Sequence, residues 1–171
     1  MKILIATDGS TFSQQALAKA CELAEGWDDV SFRIISIYEP QVPMAAESFA
    51  ISAEYYQQLD DLAKQRAEAT AQKSVDFIKT HLPSASTEIT SRVELGIPAQ
   101  VIVEAAESWD ADLVVVGSHG YGFWGRLALG SVSDAVVHHS PCSVLVVRSH
   151  NEETESEDNA NNRRAASRAE S

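Results

Sequence analysis

Short runs of apolar residues alternate along this chain with longer segments in which apolar residues recur every three or four positions. The short runs are typical of buried strands in a parallel sheet, and the longer segments are typical of helices with one buried face. Five strands are predicted at 2–7, 31–38, 87–94, 112–116 and 143–148, and four helices at 12–25, 52–81, 99–107 and 131–139.

This alternation predicts an α/β fold, a doubly wound and mostly parallel five-stranded sheet with helices on both faces. In such a sheet, ligands bind beyond the carboxyl ends of the strands, where the strand order reverses. Asp8, Tyr38, Gly96 and Gly117 all lie at the carboxyl ends of predicted strands. We therefore expect the candidate binding residues to meet at one edge of the sheet.

The apolar spacing of the longest helix also predicts which of its residues are buried. Its two adjacent tyrosines are expected to differ, with Tyr55 in the core and Tyr56 at the surface. The expected buried face consists of Tyr55, Leu59, Leu62, Ala63, Ala69, Val75 and Ile78.

Two segments lie outside the regular alternation. Residues 39–49 form an unusually long connection that contains Pro40 and Pro43, for which we expect a lid or a contact surface. Residues 149–171 have no Leu, Ile, Val or aromatic residue, and they carry six acidic residues against three arginines. Because such a segment cannot offset the entropy of ordering, we expect one domain over residues 1–148 and a disordered, solvated tail over 149–171.

The overall charge limits the classes of partner. The formal net charge of −12 argues against a nucleic-acid or anionic-membrane surface, since both need clustered Lys and Arg. No stretch approaches the length of a membrane span, and the N-terminal apolar run is too short for a signal peptide. Cys21 and Cys142 are far apart in sequence, which favours free thiols in a reducing compartment. We expect a cytoplasmic protein.

A glycine-rich stretch follows the fourth predicted strand and leads into the last helix. Residues 117–133 read GSHGYGFWGRLALGSVS. Glycine lets the backbone approach an anion closely, and the N–H groups at the helix start point towards it. A Walker A loop is excluded because no Lys precedes Ser131. A dinucleotide-binding fold is disfavoured because it needs an acidic residue on a following strand, and this sequence has none there. The stretch therefore predicts phosphate binding of another type.

The spacing Gly117-x2-Gly120-x9-Gly130-Ser131, with the opening ATDGS at 6–10 and the closing PCSVLVV at 141–147, resembles the universal stress protein family. The resemblance covers residues 1–148. It implies a stress-response protein with the strand order 3-2-1-4-5, and a homodimer that pairs the Val144–Val147 strands edge to edge. Such pairing would cover an outer apolar strand that is otherwise prone to aggregation.

The resemblance also implies a nucleotide site, because this glycine spacing marks the ATP-binding members of the family. It implies ATP, or ADP or AMP, with Mg²⁺ or Mn²⁺ near Asp8. Gly117, Gly120, Gly130 and Ser131 would hold the phosphates, while the backbone of Ile37 would face adenine. The complete set of site residues is Thr7, Asp8, Ile37, Val116, Gly117, His119, Gly120, Arg126, Gly130, Ser131, Val132 and Ser133.

Several of these residues have a second interpretation that the sequence leaves open. Asp8 could cap the first helix, and Arg126 could be solvated instead of contacting phosphate. His119 is more typical of a residue that packs or hydrogen-bonds in the loop than of a catalyst. Trp124 could cover the nucleotide or lie at a subunit boundary.

Three functions remain open. The first is an ATP-binding regulatory dimer whose nucleotide occupancy changes what it offers to an unknown protein partner. The second is an enzyme with weak ATP hydrolysis or autophosphorylation, for which Asp8 is the only convincing acidic residue and no catalytic residue can be assigned. The third is a nucleotide-free dimeric scaffold.

Overall fold

The computed structural model describes residues 1–27, 29–40, 53–82, 87–120 and 129–148. Within these ranges the chain forms five strands and four helices, each within two residues of its predicted bounds. Arg126, Trp124, most of the 39–49 connection and the 149–171 tail lie outside the described residues. In chain order the elements are β1 (Lys2–Ala6), α1 (Thr11–Ala24), β2 (Ser31–Tyr38), α2 (Ala53–His81), β3 (Glu88–Leu95), α3 (Pro98–Trp109), β4 (Leu113–Gly117), α4 (Ser131–His139) and β5 (Ser143–Val147).

The strands form one parallel sheet in the order β3-β2-β1-β4-β5, which confirms the expected order. The central strand β1 is fully buried at Ile3, Leu4 and Ile5, as its continuous apolar run predicts. From β1 the chain moves outwards through β2 to β3, and it later returns to the other side of β1 to add β4 and β5. The strand order therefore reverses between β1 and β4.

Helices cover both faces of the sheet because successive strand residues point to opposite sides. Ile3, Ile5 and Ile34 pack with residues of α1 and α2 in one core. Leu4 and Ile35 pack with residues of α3 and α4 in the other core. The doubly wound architecture predicted from the sequence is confirmed.

Of the residues predicted for the buried face of α2, only Val75 and Ile78 are fully buried. Tyr55 and Leu62 are about half exposed (48% and 49%), and Ala69 is exposed, whereas Tyr56 is more buried than Tyr55. The reason is length: 29 residues of helix span about 43 Å, while the eight-residue strands beneath span about 26 Å. The buried residues lie in the second half of the helix: Ala67, Ala71, Ser74, Val75 and Ile78.

Strand β5 is one edge of the sheet. All four residues of the Val144–Val147 segment are half-buried, and their side chains alternate between the two cores. In the part of the chain that the structure describes, no helix is both long and apolar enough to cross a membrane. Cys21 is buried and Cys142 is half-buried, and both thiols are free.

Candidate functional site

A pocket of about 380 Å³ opens where the strand order reverses, beyond the carboxyl ends of β1 and β4. This is the position at which open α/β sheets bind ligands, and the volume lies within the usual range for small-molecule sites. The pocket is lined by Ala6, Thr7, Asp8, Ser13, Ile37, Pro98, Ile102, Val116, Gly117, His119, Gly120, Gly130, Ser131, Val132 and Ser133.

The pocket brings together the candidate site residues named from the sequence, apart from Arg126, which lies outside the described residues. Sequence reasoning missed Ala6, Ser13, Pro98 and Ile102. Pro98 follows the turn after β3, so its position at the carboxyl edge of the sheet was a usable signal. The inward apolar position of Ile102 was predicted from spacing, but spacing does not show that a buried residue also lines a cavity.

The N-terminus of α4 faces this pocket without a side-chain cap. Its N-cap residue is Gly130, which has no side chain that could accept a hydrogen bond from the first turn. The N–H groups of Ser131, Val132 and Ser133 have no acceptor within their own helix, as in every α-helix. The N-terminus of α1 differs, since the Ser10 hydroxyl accepts a hydrogen bond from the Ser13 amide at 3.3 Å. The α4 terminus is therefore the better suited of the two to bind an anion.

Ser118 fixes the start of α4 against the sheet. Its amide donates to the carbonyl of Val147 at 2.7 Å, and its own carbonyl accepts from the Gly130 amide at 2.8 Å. The Ser133 hydroxyl lies 3.0 Å from the same carbonyl. Because Ser118 is only 2% exposed, these bonds join β5, the glycine stretch and α4 inside the protein.

At two glycines of the site, an added Cβ would come too close to neighbouring atoms. A Cβ on Gly117 would lie 2.8–2.9 Å from atoms of Phe12, including its main-chain carbonyl group, so this position must be small to let α1 pack against β4. A Cβ on Gly120 would lie 2.7 Å from Oδ2 of Asp8. Gly117 thus has a packing reason beyond the phosphate role expected from the sequence, and Gly120 leaves room for the carboxylate of Asp8.

Asp8 has two separate surroundings. Its Oδ1 accepts a hydrogen bond from the Ser10 amide at 2.9 Å, so Asp8 stabilises the turn, while the helix cap that the sequence left open for Asp8 is Ser10. Its Oδ2 lies against Gly120, 2.7 Å from the position that a Cβ there would occupy. Among the described residues, no group of three or more His, Cys, Asp or Glu side chains could hold a metal ion. A divalent cation beside Asp8 would therefore need oxygen ligands from a bound phosphate or from water.

The other end of the pocket is formed by β2, which runs past the end of β1. The last register pair between these strands is Ala6 with Ile35. The carbonyl of Ile35 accepts from the Thr7 amide, whereas the carbonyl of Tyr38 accepts from the Gly96 amide on the β3 side. Because carbonyls alternate in direction along a strand, the N–H and C=O of Ile37 point to the β1 side, where the pocket lies.

A doubly wound α/β protein is thus defined, with an uncapped helix N-terminus and a glycine stretch at the crevice where its strand order reverses. A sequence model of the universal stress protein family matches residues 1–148. The chain belongs to the universal stress protein family.

Curated relatives are similar over almost the whole predicted domain. A universal stress protein of Thermus aquaticus is 36% identical over 148 residues, covering 85% of this chain and 97% of its own. Another, from Methanocaldococcus jannaschii, is 32% identical and covers 86% of this chain and 81% of its own.

Solved structures share the fold. UspA from Lactobacillus plantarum has a TM-score of 0.72 at 24% identity, covering 86% of this chain and 97% of its own. A universal stress protein in complex with cAMP has a TM-score of 0.58 at 26% identity, covering 86% of this chain and 96% of its own.

Proposed function

We propose that this chain binds an adenine nucleotide, with ATP as the preferred ligand, and acts in the stress response as a nucleotide-dependent dimeric switch. One observation carries the proposal. The uncapped N-terminus of α4 and the end of β2, which extends past β1 and is paired there only with β3, both line one pocket. The helix N-terminus suits an anion, and the end of β2 suits a planar base with hydrogen-bonding edges.

The phosphates lie at the start of α4 in this proposal. The amides of Ser131, Val132 and Ser133 donate to phosphate oxygens, and the helix dipole favours the negative charge. Local donors are needed because the chain carries a net charge of −12, so its overall field repels an anion. Gly120 has no side chain, so the Asp8 carboxylate can lie against it at the wall of the same pocket.

The base lies against β2. Adenine presents a ring-nitrogen acceptor beside an amino donor, and the N–H and C=O of Ile37 can pair with such an edge. Ala6, Ile102 and Val116 supply apolar surface around the ring. Support also comes from the related structure in complex with cAMP, since cAMP is an adenine nucleotide.

A divalent cation, Mg²⁺ or Mn²⁺, fits beside Asp8 when phosphate is present. Mg²⁺ is commonly held by one or two carboxylates together with phosphate oxygens and waters. Asp8 supplies one carboxylate oxygen that faces the glycine stretch. Replacing Asp8 by Asn is expected to remove the Mg²⁺ dependence of ATP affinity, as measured by calorimetry with and without the cation.

The switch acts as a homodimer in the cytoplasm and presents its surface to a protein partner. The open edge of β5 has unpaired backbone groups, which a second copy can satisfy by adding its own β5. Nucleotide contacts to α4 reach β5 through Ser118, whose amide bonds Val147. In this proposal, the hydrogen bonds of Ser118 to Gly130 and Val147 connect the nucleotide site to the dimer edge.

Thermal melting and calorimetry with ATP, ADP, AMP, GTP and adenosine test this proposal. ATP at a hundred times its dissociation constant is expected to stabilise the fold by about 2.7 kcal/mol, and adenosine is expected to bind more weakly because it lacks phosphate. A chain that shows no melting shift and no heat of binding with any adenine nucleotide would contradict the proposal.

A further inference from the structure

His119 lies between two helices at the phosphate end of the pocket. On one side its ring centroid is 5.4 Å from that of Phe12 in the first turn of α1, with the two rings tilted by 56°. On the other side, a Cβ on the α4 cap residue Gly130 would lie 3.4 Å from the His119 Cα and 3.7 Å from its Cδ2. The imidazole Nδ1 is also 3.1 Å from the Ser118 hydroxyl.

Phe12 itself does not line the pocket, yet it contacts two parts of the glycine stretch. Its backbone packs against Gly117, and its ring packs against the imidazole of His119. The residue is only half-buried, although it lies in the first turn of a helix whose other apolar residues mostly lie in the core. Part of the surface of its ring therefore contacts a polar side chain of the site, the imidazole of His119.

We infer that Phe12 is a positioning residue that holds the imidazole of His119 beside the start of α4, where the proposed phosphates bind. This inference rests on the proposed nucleotide function. A side chain that is already held in its bound rotamer loses less conformational entropy when the ligand binds. Phe12 thus contributes to the affinity for phosphate-bearing ligands without touching them.

Replacing Phe12 by Ala tests the inference through ligand selectivity. The dissociation constant for ATP is expected to rise about three- to tenfold, which corresponds to immobilising one free side chain. The constant for adenosine is expected to stay within about twofold, because the base end of the pocket is unchanged. Phe12→Tyr keeps the ring and is expected to restore ATP affinity.

A double-mutant cycle with His119→Ala shows whether Phe12 acts through the imidazole. In the His119→Ala background, Phe12→Ala is expected to cause no further loss of ATP affinity, since the group that it positions is already gone. Independent losses that add in the double variant would contradict the inference.

Phe77→Ala is the matched control. Phe77 stacks on His81 with ring centroids 3.8 Å apart on α2, and neither residue lines the pocket. Its removal is expected to lower the melting temperature without changing ATP affinity. If Phe12→Ala does not fold, Phe12→Leu keeps apolar volume without the ring and is expected to show the same selective loss.

A readout without ligand separates the inference from the proposed function. The ring of Phe12 is expected to shift the ring-proton NMR signals of His119, and Phe12→Ala but not Phe77→Ala should move them. If the wild type binds ATP and Phe12→Ala binds it with the same affinity, this inference alone is overturned. Wild-type protein that binds no nucleotide would overturn the proposed function, and with it the role assigned to Phe12.

Discussion

Oδ2 of Asp8 lies 2.7 Å from the position that a Cβ on Gly120 would occupy. An alanine at position 120 must therefore displace the carboxylate, which is also held by a hydrogen bond between its Oδ1 and the Ser10 amide. The neighbour is a side chain near the surface and not buried backbone, so the fold itself can accommodate the change.

Gly120→Ala is expected to weaken ATP binding about tenfold or more, because it narrows the phosphate end and moves Asp8. The melting temperature of the ligand-free variant is expected to stay within a few degrees of the wild type. Calorimetry and thermal melting on the same preparation check both parts. Unchanged ATP affinity would show that the ligand contacts neither position 120 nor the Asp8 carboxylate.

Gly117→Ala, unlike Gly120→Ala, is expected to destabilise the fold. Its Cβ would meet the C and O atoms of Phe12 at 2.8 and 2.9 Å, and this backbone belongs to the first turn of α1. Overpacking of this kind costs about 1–3 kcal/mol, since helix and strand must move apart. Urea unfolding measures the loss, and a stability equal to that of Gly120→Ala would contradict the packing described for α1.

Val147→Lys tests the dimer edge. A lysine on an edge strand discourages edge-to-edge pairing, and Val147 is half-buried at the end of β5. Light scattering after gel filtration is expected to give twice the chain mass of 18.5 kDa for the wild type and a single chain mass for the variant. A wild-type monomer, or a variant that stays dimeric, would place any interface elsewhere.

The buried thiol of Cys21 gives a pH-dependent prediction. Burial, and then the nearby Glu25 carboxylate, raise its pKa from 9.0 to about 11. The folded state therefore favours the protonated thiol, and this stabilisation is complete below pH 9 and is lost as the pH rises towards 11. Between pH 8 and 11, the wild type is expected to lose about 1–2 kcal/mol more unfolding free energy than Cys21→Ala.

Thiol labelling provides an independent check on Cys21. At pH 8 the half-buried Cys142 is expected to react first with a thiol reagent, and Cys21 only after unfolding. Rapid reaction of both thiols in the native protein would contradict the burial of Cys21.

Most of the fold could be predicted because its elements carry strong local patterns. The continuous apolar run at Ile3–Ile5 identified the central strand, and Gly130-Ser131 marked the start of α4. Spacing could not show that Tyr55 lies on a stretch of α2 that extends past the sheet, because helix period identifies a face and not what covers it. The ordinary apolar position of Phe12 likewise gave no sign that its ring packs on an imidazole about a hundred residues later.

The residues of the site were easier to name than their roles. A glycine that follows a strand predicts that another group approaches the backbone closely, but the sequence does not say which group. The structure shows that this group is the Phe12 backbone at Gly117 and the Asp8 carboxylate at Gly120. Ser13 and Ile102 line the pocket through tertiary packing, which no local pattern in the sequence encodes.

Amide chemical shifts during an ATP titration of the uniformly labelled protein test the proposed site most directly. The proposal predicts saturable shifts of the Ser131, Val132 and Ser133 amides at one end of the pocket and of the Ile37 amide at the other. The Ser13 amide, which already donates to Ser10, is expected to change less. If saturating ATP leaves the amide signals of α4 unshifted, or shifts only signals of residues away from this pocket, the proposed nucleotide site is contradicted.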